Sequence, residues 1–156
     1  MQNRDPQLET SGKRIGFYER EFYCFSNFSS FKVKWRGRNW DTSEQAYQAS
    51  HFIDTDPALF EAIVESNSAH EAFKIAQTNY DKVQKNWIDI KTGVMEEIVR
   101  LKLEQNPYVM KKLLESGDLE IVEDSPKDSF WGWGEDHKGR NELGKIWMKL
   151  RTELKK

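Results

Sequence analysis

The sequence has little that would cross-link the chain, hold it in a membrane or attract a polyanion. Cys24 is the single cysteine in 156 residues, so no internal disulfide can form, which fits a reducing compartment. No run approaches the roughly 18 apolar residues that span a bilayer, and the N-terminus lacks the apolar core of a signal peptide. A net charge of -2 gives no global field for nucleic acid, although it is compatible with a local basic patch. We therefore expect a cytoplasmic protein with no membrane partner.

Familiar motifs for metals, nucleotides and thiol catalysis are also missing. His51, His70 and His137 do not have the spacing of metal ligands, and no Walker loop or dinucleotide fingerprint occurs. Cys24 has no local histidine to activate it, so a buried strand cysteine is the simpler interpretation. The sequence predicts no metal and no organic cofactor, and it leaves the oligomeric state open.

What is present is a chain of single-domain length with 13% aromatic residues. Residues 1–13 are polar and without periodicity, which predicts a disordered tail before a domain at 14–156. Dense aromatics over 15–31, and then the alternation through Val33 and Trp35, predict a small β region with a hairpin.

Capping signals and apolar spacing predict that helices dominate the rest. Thr42 begins a capping box that ends at Gln45, Pro57 opens a second helix, and Ser68 caps a third. The remaining predicted elements are a helix over 83–104, a helix from Pro107 to Gly117, strands at 119–122 and 130–133, and a helix from about 143 to 154. The fold class is therefore α+β, a predominantly helical single domain with a small N-terminal β region.

The 83–104 helix has a lysine in the middle of its apolar stripe. Trp87, Ile88, Val94 and Ile98 lie within about 60° of Lys91 on a helical wheel. One interpretation is that the stem packs while the ammonium reaches water. The other is a cation aimed into a pocket, where it would hold a phosphate or carboxylate. The wheel does not decide between them.

Two further segments interrupt the expected patterns. Glu44, Gln48 and His51 form a polar strip on the first helix, for which a solvated face is the simpler interpretation. The aromatic and glycine-rich stretch 128–134 is followed by Gly139, Arg140 and Asn141 at a helix start, where free amides can bind anions. Core tryptophans and an Asn141 cap would explain it too, but glycines weaken a strand, and we favour a ligand loop.

Four ordered blocks give the chain a specific resemblance to the NADAR, or YbiA-like, family over about 15–151. They are Phe25-Ser26-Asn27-Phe28; Thr42 to Ala49; Lys85-Asn86-Trp87 with Lys91 and Met95; and Asp128 to Gly134 with Gly139, Asn141, Leu143, Gly144, Met148 and Arg151. The resemblance implies a mostly helical α+β fold and N-glycosidase activity on a small phosphorylated riboside. It favours phosphoribosylamino-pyrimidine intermediates of riboflavin synthesis, with ADP-ribosyl guanine in nucleic acid, or a non-catalytic ADP-ribose or NAD binding module, as alternatives.

Cleavage of a ribosyl C–N bond needs a carboxylate near the developing positive charge and a means to activate water. Among the residues of these blocks, Glu44 and Asp128 meet that need. We expect one of them to stabilise the developing charge and deprotonate water, and the other to orient the ribose hydroxyls or protonate the leaving group. The sequence leaves open which carboxylate has which role, and we favour Glu44 for water and charge. We expect the substrate to contact Ser26, Asn27, Phe28, Gln48, His51, Lys91, Trp131, Gly132, Arg140 and Asn141.

Within this resemblance His51 is a departure, because the family often has a lysine at that place. If that lysine contacts phosphate, a histidine with an ordinary pKa near 6.5 would be only partly charged at neutral pH. The change is expected to alter affinity, pH dependence or substrate choice. A protein-interaction domain is the least specific alternative, and it predicts no saturable binding of a small ligand.

Overall fold

A computed structural model describes residues 14–17 and 20–156, so the expected tail at 1–13 lies outside the described residues. The elements, in chain order, are β1 (Arg14–Gly16), a 3₁₀ helix (Arg20–Phe25), β2 (Val33–Trp35), β3 (Arg38–Trp40), α1 (Ser43–Ser50), α2 (Pro57–Val64), α3 (Ala69–Thr78), a 3₁₀ turn (Tyr80–Lys82), α4 (Trp87–Gln105), α5 (Pro107–Glu115), β4 (Glu120–Val122) and α6 (Glu142–Leu154). The fold is α+β and predominantly helical, as predicted. None of the described helices combines the length and apolar character needed to cross a bilayer.

Backbone contacts divide the chain into two compact units. We call Asn27–Asn106 the central unit, and we call the described residues before Asn27 together with Pro107–Lys156 the terminal unit. The central unit holds β2, β3 and α1 to α4, whereas the terminal unit holds β1, β4, α5 and α6.

The central unit is built around α1, which packs against α2, α3 and α4. All eight residues of α1 are buried, including Glu44 and Gln48. The predicted hairpin is confirmed, because β2 and β3 pair in antiparallel register with Val33 opposite Trp40. β2 also packs on α4, where the side-chain amide of Gln105 bonds both backbone groups of Lys34. These contacts place α1 in the interior of its unit.

Caps explain where the helices of the central unit begin. The hydroxyl of Thr42 accepts from the amide of Gln45 at 3.2 Å, and Asp56 and Ser68 cap α2 and α3 in the same way. The contacts of the Gln45 side chain differ from those that the predicted capping box implies. The side chain of Gln45 bonds the Thr42 hydroxyl and donates to Ser66, so it ties α1 to the segment after α2.

The terminal unit pairs β1 with β4 in parallel, an arrangement that the sequence did not predict. α6 packs on β4 so closely that a Cβ on Gly144 would overlap the carbonyl oxygen of Ile121. Phe25 lies 4.8 Å from Trp147, ring centre to ring centre, and its carbonyl accepts from the indole at 3.0 Å. The short strands are therefore held by α6 as well as by each other.

Three sequence predictions of secondary structure were wrong. Cys24 is buried, as expected, but it lies in the 3₁₀ helix (Arg20–Phe25) and not in a strand. The long helix begins at Trp87 instead of 83, because the 3₁₀ turn and the amide of Gln84, which donates to the carbonyl of His51, occupy the preceding residues. The strand predicted at 130–133 is a loop. The amides of Phe130 and Trp131 turn inward to the carboxylate of Asp128, so they are not available for a strand ladder.

Candidate active site

Glu44 is a buried carboxylate in the first turn of α1, with 6% of its surface exposed. Its Oε1 accepts a 2.6 Å hydrogen bond from Nε2 of Gln48, one turn later. The amide of Glu44 donates to the carbonyl of Asn27 at 3.0 Å. The positive end of the helix favours a negative charge here. The solvated face that the wheel suggested is therefore wrong, because the strip of Glu44, Gln48 and His51 is buried.

Asn27 connects the segment before the hairpin to α1 and α4. Its Oδ1 accepts from the hydroxyl of Ser43 at 2.9 Å, and its Nδ2 lies 3.2 Å from the sulfur of Met95. Both ends of this side chain are engaged within the unit, so it holds the start of α1 in place. The neighbouring Phe28 is 40% exposed, whereas Ser26 is buried in the terminal unit.

His51 follows the last turn of α1 and is enclosed by aromatic rings. Its ring centre lies 4.1 Å from that of Trp87 and 5.2 Å from that of Tyr47. Its Nδ1 lies 2.9 Å from the carbonyl of Gln48 and 3.2 Å from the carbonyl of Tyr47. Because carbonyls only accept, Nδ1 must carry the proton.

Burial lowers the pKa of His51 from its ordinary 6.5 to about 4, although the two carbonyl contacts act in the opposite direction. The positive charge of Lys91 lowers the pKa a little further. His51 is therefore uncharged at neutral pH, and the expectation of a partly charged histidine is corrected. Lys91 itself is half-buried on α4, one turn after Trp87.

Asp128 organises the loop that follows β4 in the terminal unit. Its Oδ1 accepts from the amides of Phe130 at 2.9 Å and Trp131 at 2.8 Å. The half-buried ring of Trp131 meets Phe130 edge-on at 4.8 Å, whereas Trp133 is buried and stacks on His137 at 4.1 Å. Trp133 is thus a packing residue, and Trp131 is the tryptophan of this loop that keeps an exposed surface.

The start of α6 differs from the anion site that the sequence suggested. The amides of Arg140, Asn141, Glu142 and Leu143 donate to the carbonyls of Ser129, Gly132, Phe130 and Trp131, in that order. These four donors are used inside the loop, so they do not offer the row of free amides that an anion needs. The loop and the helix are instead joined into one structure.

Arg140 and Asn141 are also engaged within the terminal unit. The Arg140 guanidinium pairs with Glu142 at 2.9 Å and lies over the ring of Phe130. Asn141 accepts from the amide of Glu123 at 2.9 Å and donates to the carbonyl of Ile121 at 3.0 Å. Asn141 occupies the N-cap position of α6, as the alternative interpretation expected, but its side chain makes no capping bond and instead joins β4 to the helix start.

Gly132 packs closely against Glu123, the residue that follows β4. A Cβ at this position would lie 2.5 Å from the carbonyl oxygen of Glu123 and 2.8 Å from that of Asp128. Glycine is therefore required by packing. Glu123 is a buried carboxylate beside Gly132 that sequence reasoning missed. Its place directly after the predicted strand 119–122 was the available signal.

A cavity of about 390 Å³ lies beside this loop in the terminal unit. Ser129 and Gly134 line it together with Glu135 and Asp136, but Asp128 and Trp131 do not. Within the described residues, no group of three or more His, Cys, Asp or Glu side chains is placed to hold a metal ion.

The central unit thus brings Asn27, Glu44, Gln48 and His51 together, with Lys91 close enough to act on His51 electrostatically. The terminal unit brings Asp128, Trp131, Gly132, Arg140 and Asn141 into one loop and helix start. Sequence reasoning missed the contributions of Tyr47, Trp87 and Met95, which enclose or contact the predicted residues.

Comparisons with known proteins agree with this architecture. The sequence matches the NADAR domain over residues 16–155. It is 41% identical to a riboflavin biosynthesis protein of Vibrio vulnificus over 90% of this chain, and it spans only 38% of that protein. It is 35% identical to an N-glycosidase of Nostoc punctiforme over 90% of this chain and 92% of that one. The NMR structure of Escherichia coli YbiA superimposes with a TM-score of 0.83, at 33% identity, covering 91% of this chain and 84% of YbiA.

Proposed function

Because this chain belongs to the NADAR domain family and is an N-glycosidase, we propose that it hydrolyses the C–N bond of a ribosyl compound with phosphate on its 5′ side. Among such compounds we place the phosphoribosylamino-pyrimidine intermediates of riboflavin synthesis first. The name of the Vibrio relative supports this choice, as do the four ordered residue blocks of the sequence.

The observation that carries the proposal is the environment of Glu44. Rupture of the C1′–N bond leaves the electron pair on nitrogen and builds positive charge on C1′ and the ring oxygen. A carboxylate that is buried, fixed by Gln48 and placed in the first turn of α1 is preorganised to stabilise that charge. The same carboxylate takes a proton from the water whose oxygen bonds to C1′.

Asp128 has a second role in the proposal. Its Oδ1 is occupied by the amides of Phe130 and Trp131, so it fixes the loop that carries the Trp131 ring. Its remaining carboxylate oxygen orients the ribose hydroxyls or returns a proton to the leaving nitrogen. Trp131 and the exposed Phe28 have the faces to stack on a base or cover the ribose.

Phosphate binding is assigned mainly to Lys91. The structure leaves Arg140 paired with Glu142 and uses the amides at the start of α6 inside the loop. Lys91, a half-buried lysine on α4 whose charge acts on His51, is the residue that we favour for a charge-assisted bond to phosphate. Asn27 and Gln48 would contact the polar edges of the ligand from the same unit.

The test is product analysis on a panel of purified glycosides, with released base and ribose phosphate followed by mass spectrometry. The panel contains a phosphoribosylamino-pyrimidine, its dephosphorylated form and an ADP-ribosyl guanine. We expect release from the first, little from the second, and none from the protein with Glu44→Gln. Release from ADP-ribosyl guanine alone would move the substrate to that class, and saturable binding without any release would indicate a non-catalytic module.

A Lys91→Met protein tests the phosphate assignment in the same assay. Loss of a charge-assisted hydrogen bond should weaken binding of the phosphorylated substrate by roughly 10- to 100-fold and leave binding of its dephosphorylated form almost unchanged. Exposed Lys85, which precedes α4, provides a matched lysine-to-methionine control. Equal binding by wild type and Lys91→Met would mean that the lysine stem only packs and that its ammonium reaches water.

A further inference from the structure

The polar strip of α1 carries hydrogen-bond acceptors along one face of the central unit. Gln48 uses its amide nitrogen to donate to Glu44, so the other end of this amide is an acceptor. His51, three residues later, uses Nδ1–H on the carbonyls of α1, so its other ring nitrogen, Nε2, is also an acceptor. Glu44 is an acceptor when ionised. The strip therefore suits a ligand surface made of donors.

The ring of His51 is held by more than one contact. Its backbone carbonyl accepts from the amide of Gln84, and its ring packs between Tyr47 of α1, Trp87 of α4 and Tyr80 of the 3₁₀ turn. With 5% of the residue exposed, the ring has little freedom to turn over. The nitrogen that faces away from the α1 backbone is thus fixed as Nε2.

Phosphate oxygens are acceptors, so they do not match a neutral imidazole that presents a lone pair. Ribose hydroxyls are donors and do match it. We propose that His51 is a specificity-determining residue that accepts a hydrogen bond through Nε2 from a ribose hydroxyl of the substrate and is not part of the phosphate subsite. This proposal rests on the phosphorylated riboside proposed above.

The groups around the ring fit this role. Among the described residues, Tyr47 and Tyr80 contact the His51 ring, and Lys91 acts on it through its positive charge. Its positive charge opposes a second positive charge on the imidazole. Lys91 can thus hold phosphate while His51 holds the sugar, with each group in the charge state that its role needs.

Three substitutions at one position separate the two roles. His51→Asn keeps a donor near the place of Nδ1 but has no acceptor at the place of Nε2. His51→Gln can put an amide oxygen at the place of Nε2. His51→Lys puts a cation there. Thermal melts of each protein establish that it is folded before binding is measured.

Binding of ribose 5-phosphate and of inorganic phosphate is measured by calorimetry. Loss of one neutral hydrogen bond should weaken ribose 5-phosphate binding roughly 3- to 10-fold in His51→Asn, with inorganic phosphate unaffected. His51→Gln should recover part of the loss, and His51→Lys should not improve either ligand. Tighter phosphate binding by His51→Lys, together with unchanged ribose 5-phosphate binding by His51→Asn, would overturn the proposal.

Failure of the proposed function and failure of the His51 hydrogen bond give different results. Wild-type protein that binds neither ligand would remove the phosphorylated substrate and this hydrogen bond with it. Wild-type binding that His51→Asn leaves unchanged would remove the role of His51 alone. Nitrogen-15 spectra of the histidine side chains give a ligand-free test: His51 should stay the Nδ1–H tautomer from pH 8 to pH 5. An imidazolium at pH 6, or an Nε2–H tautomer, would also overturn the proposal.

Discussion

The two candidate carboxylates are held in opposite ways. Glu44 is positioned by its neighbours, because the regular helix α1 sets its backbone conformation and Gln48 donates a hydrogen bond to its carboxylate. Asp128 instead positions its neighbours, since its Oδ1 accepts hydrogen bonds from the amides of Phe130 and Trp131 and so sets the conformation of the loop. Neutralising Glu44 should therefore change the chemistry and leave the structure, whereas truncating Asp128 should change both.

The largest effect is expected for Glu44→Gln. The amide can still accept from Gln48, so the fold and ligand binding should persist while the charge is lost. Removing the group that stabilises positive charge and activates water should lower kcat by roughly 10²- to 10⁴-fold, with KM changing far less. Glu104→Gln, at an exposed position of α4, is the matched control and should keep full activity. An unchanged kcat for Glu44→Gln would exclude Glu44 as the catalytic carboxylate.

Two glycines, Gly144 in the terminal unit and Gly93 in the central unit, differ in how closely their helices pack. Gly144→Ala in α6 forces a methyl group against the carbonyl of Ile121 and within 2.5 Å of the Asn141 side chain. It should lower the free energy of unfolding by about 1–3 kcal/mol. Gly93→Ala in α4 meets nothing within 4 Å and should raise it by about 0.5–1 kcal/mol. Urea unfolding measures both, and equal shifts would contradict the close packing of α6 on β4.

Two substitutions at Asp128 separate its charge from its hydrogen bonds. Asp128→Asn can keep Oδ1 as the acceptor for Phe130 and Trp131, whereas Asp128→Ala cannot. We expect both to lower kcat, and only the alanine protein to lose about 1–2 kcal/mol of stability as well. Asp136→Ala removes a similar bond, to the amide of Lys138, at an exposed position and serves as the control. Wild-type kcat in Asp128→Asn would leave Asp128 only its loop-shaping role.

The sequence predicted those elements whose signals are local. The hydroxyl of Thr42, the proline at 57 and the Ser68 cap each mark a helix start, and the alternation around Trp35 marks the hairpin. Such signals depend on a few neighbouring residues, so they survive without knowledge of the fold. The helical class follows from them, whereas the family resemblance follows from the four ordered residue blocks.

What could not be predicted depends on partners distant in the chain. The parallel pairing of β1 with β4 joins residues more than a hundred positions apart, and no local pattern records it. The Glu44 strip is buried because α1 packs against three other helices of its unit. The pKa of His51 is low because Trp87 of α4 and Tyr80 of the 3₁₀ turn pack on its ring. The strand predicted at 130–133 was wrong because the amides of Phe130 and Trp131 bond the carboxylate of Asp128 instead of a neighbouring strand.

The smallest effect is expected at Arg140, where the loop and α6 meet. Its side chain is 66% exposed and its charge is balanced by Glu142, so the pair should contribute about 0.5 kcal/mol or less to stability. Arg140→Gln should therefore weaken binding of the phosphorylated substrate by about twofold at most. This effect is far smaller than the one expected for Lys91→Met. Glu142→Gln, which releases the guanidinium, should strengthen binding only if Arg140 can reach the phosphate. A loss in Arg140→Gln as large as in Lys91→Met would place the phosphate against the terminal unit.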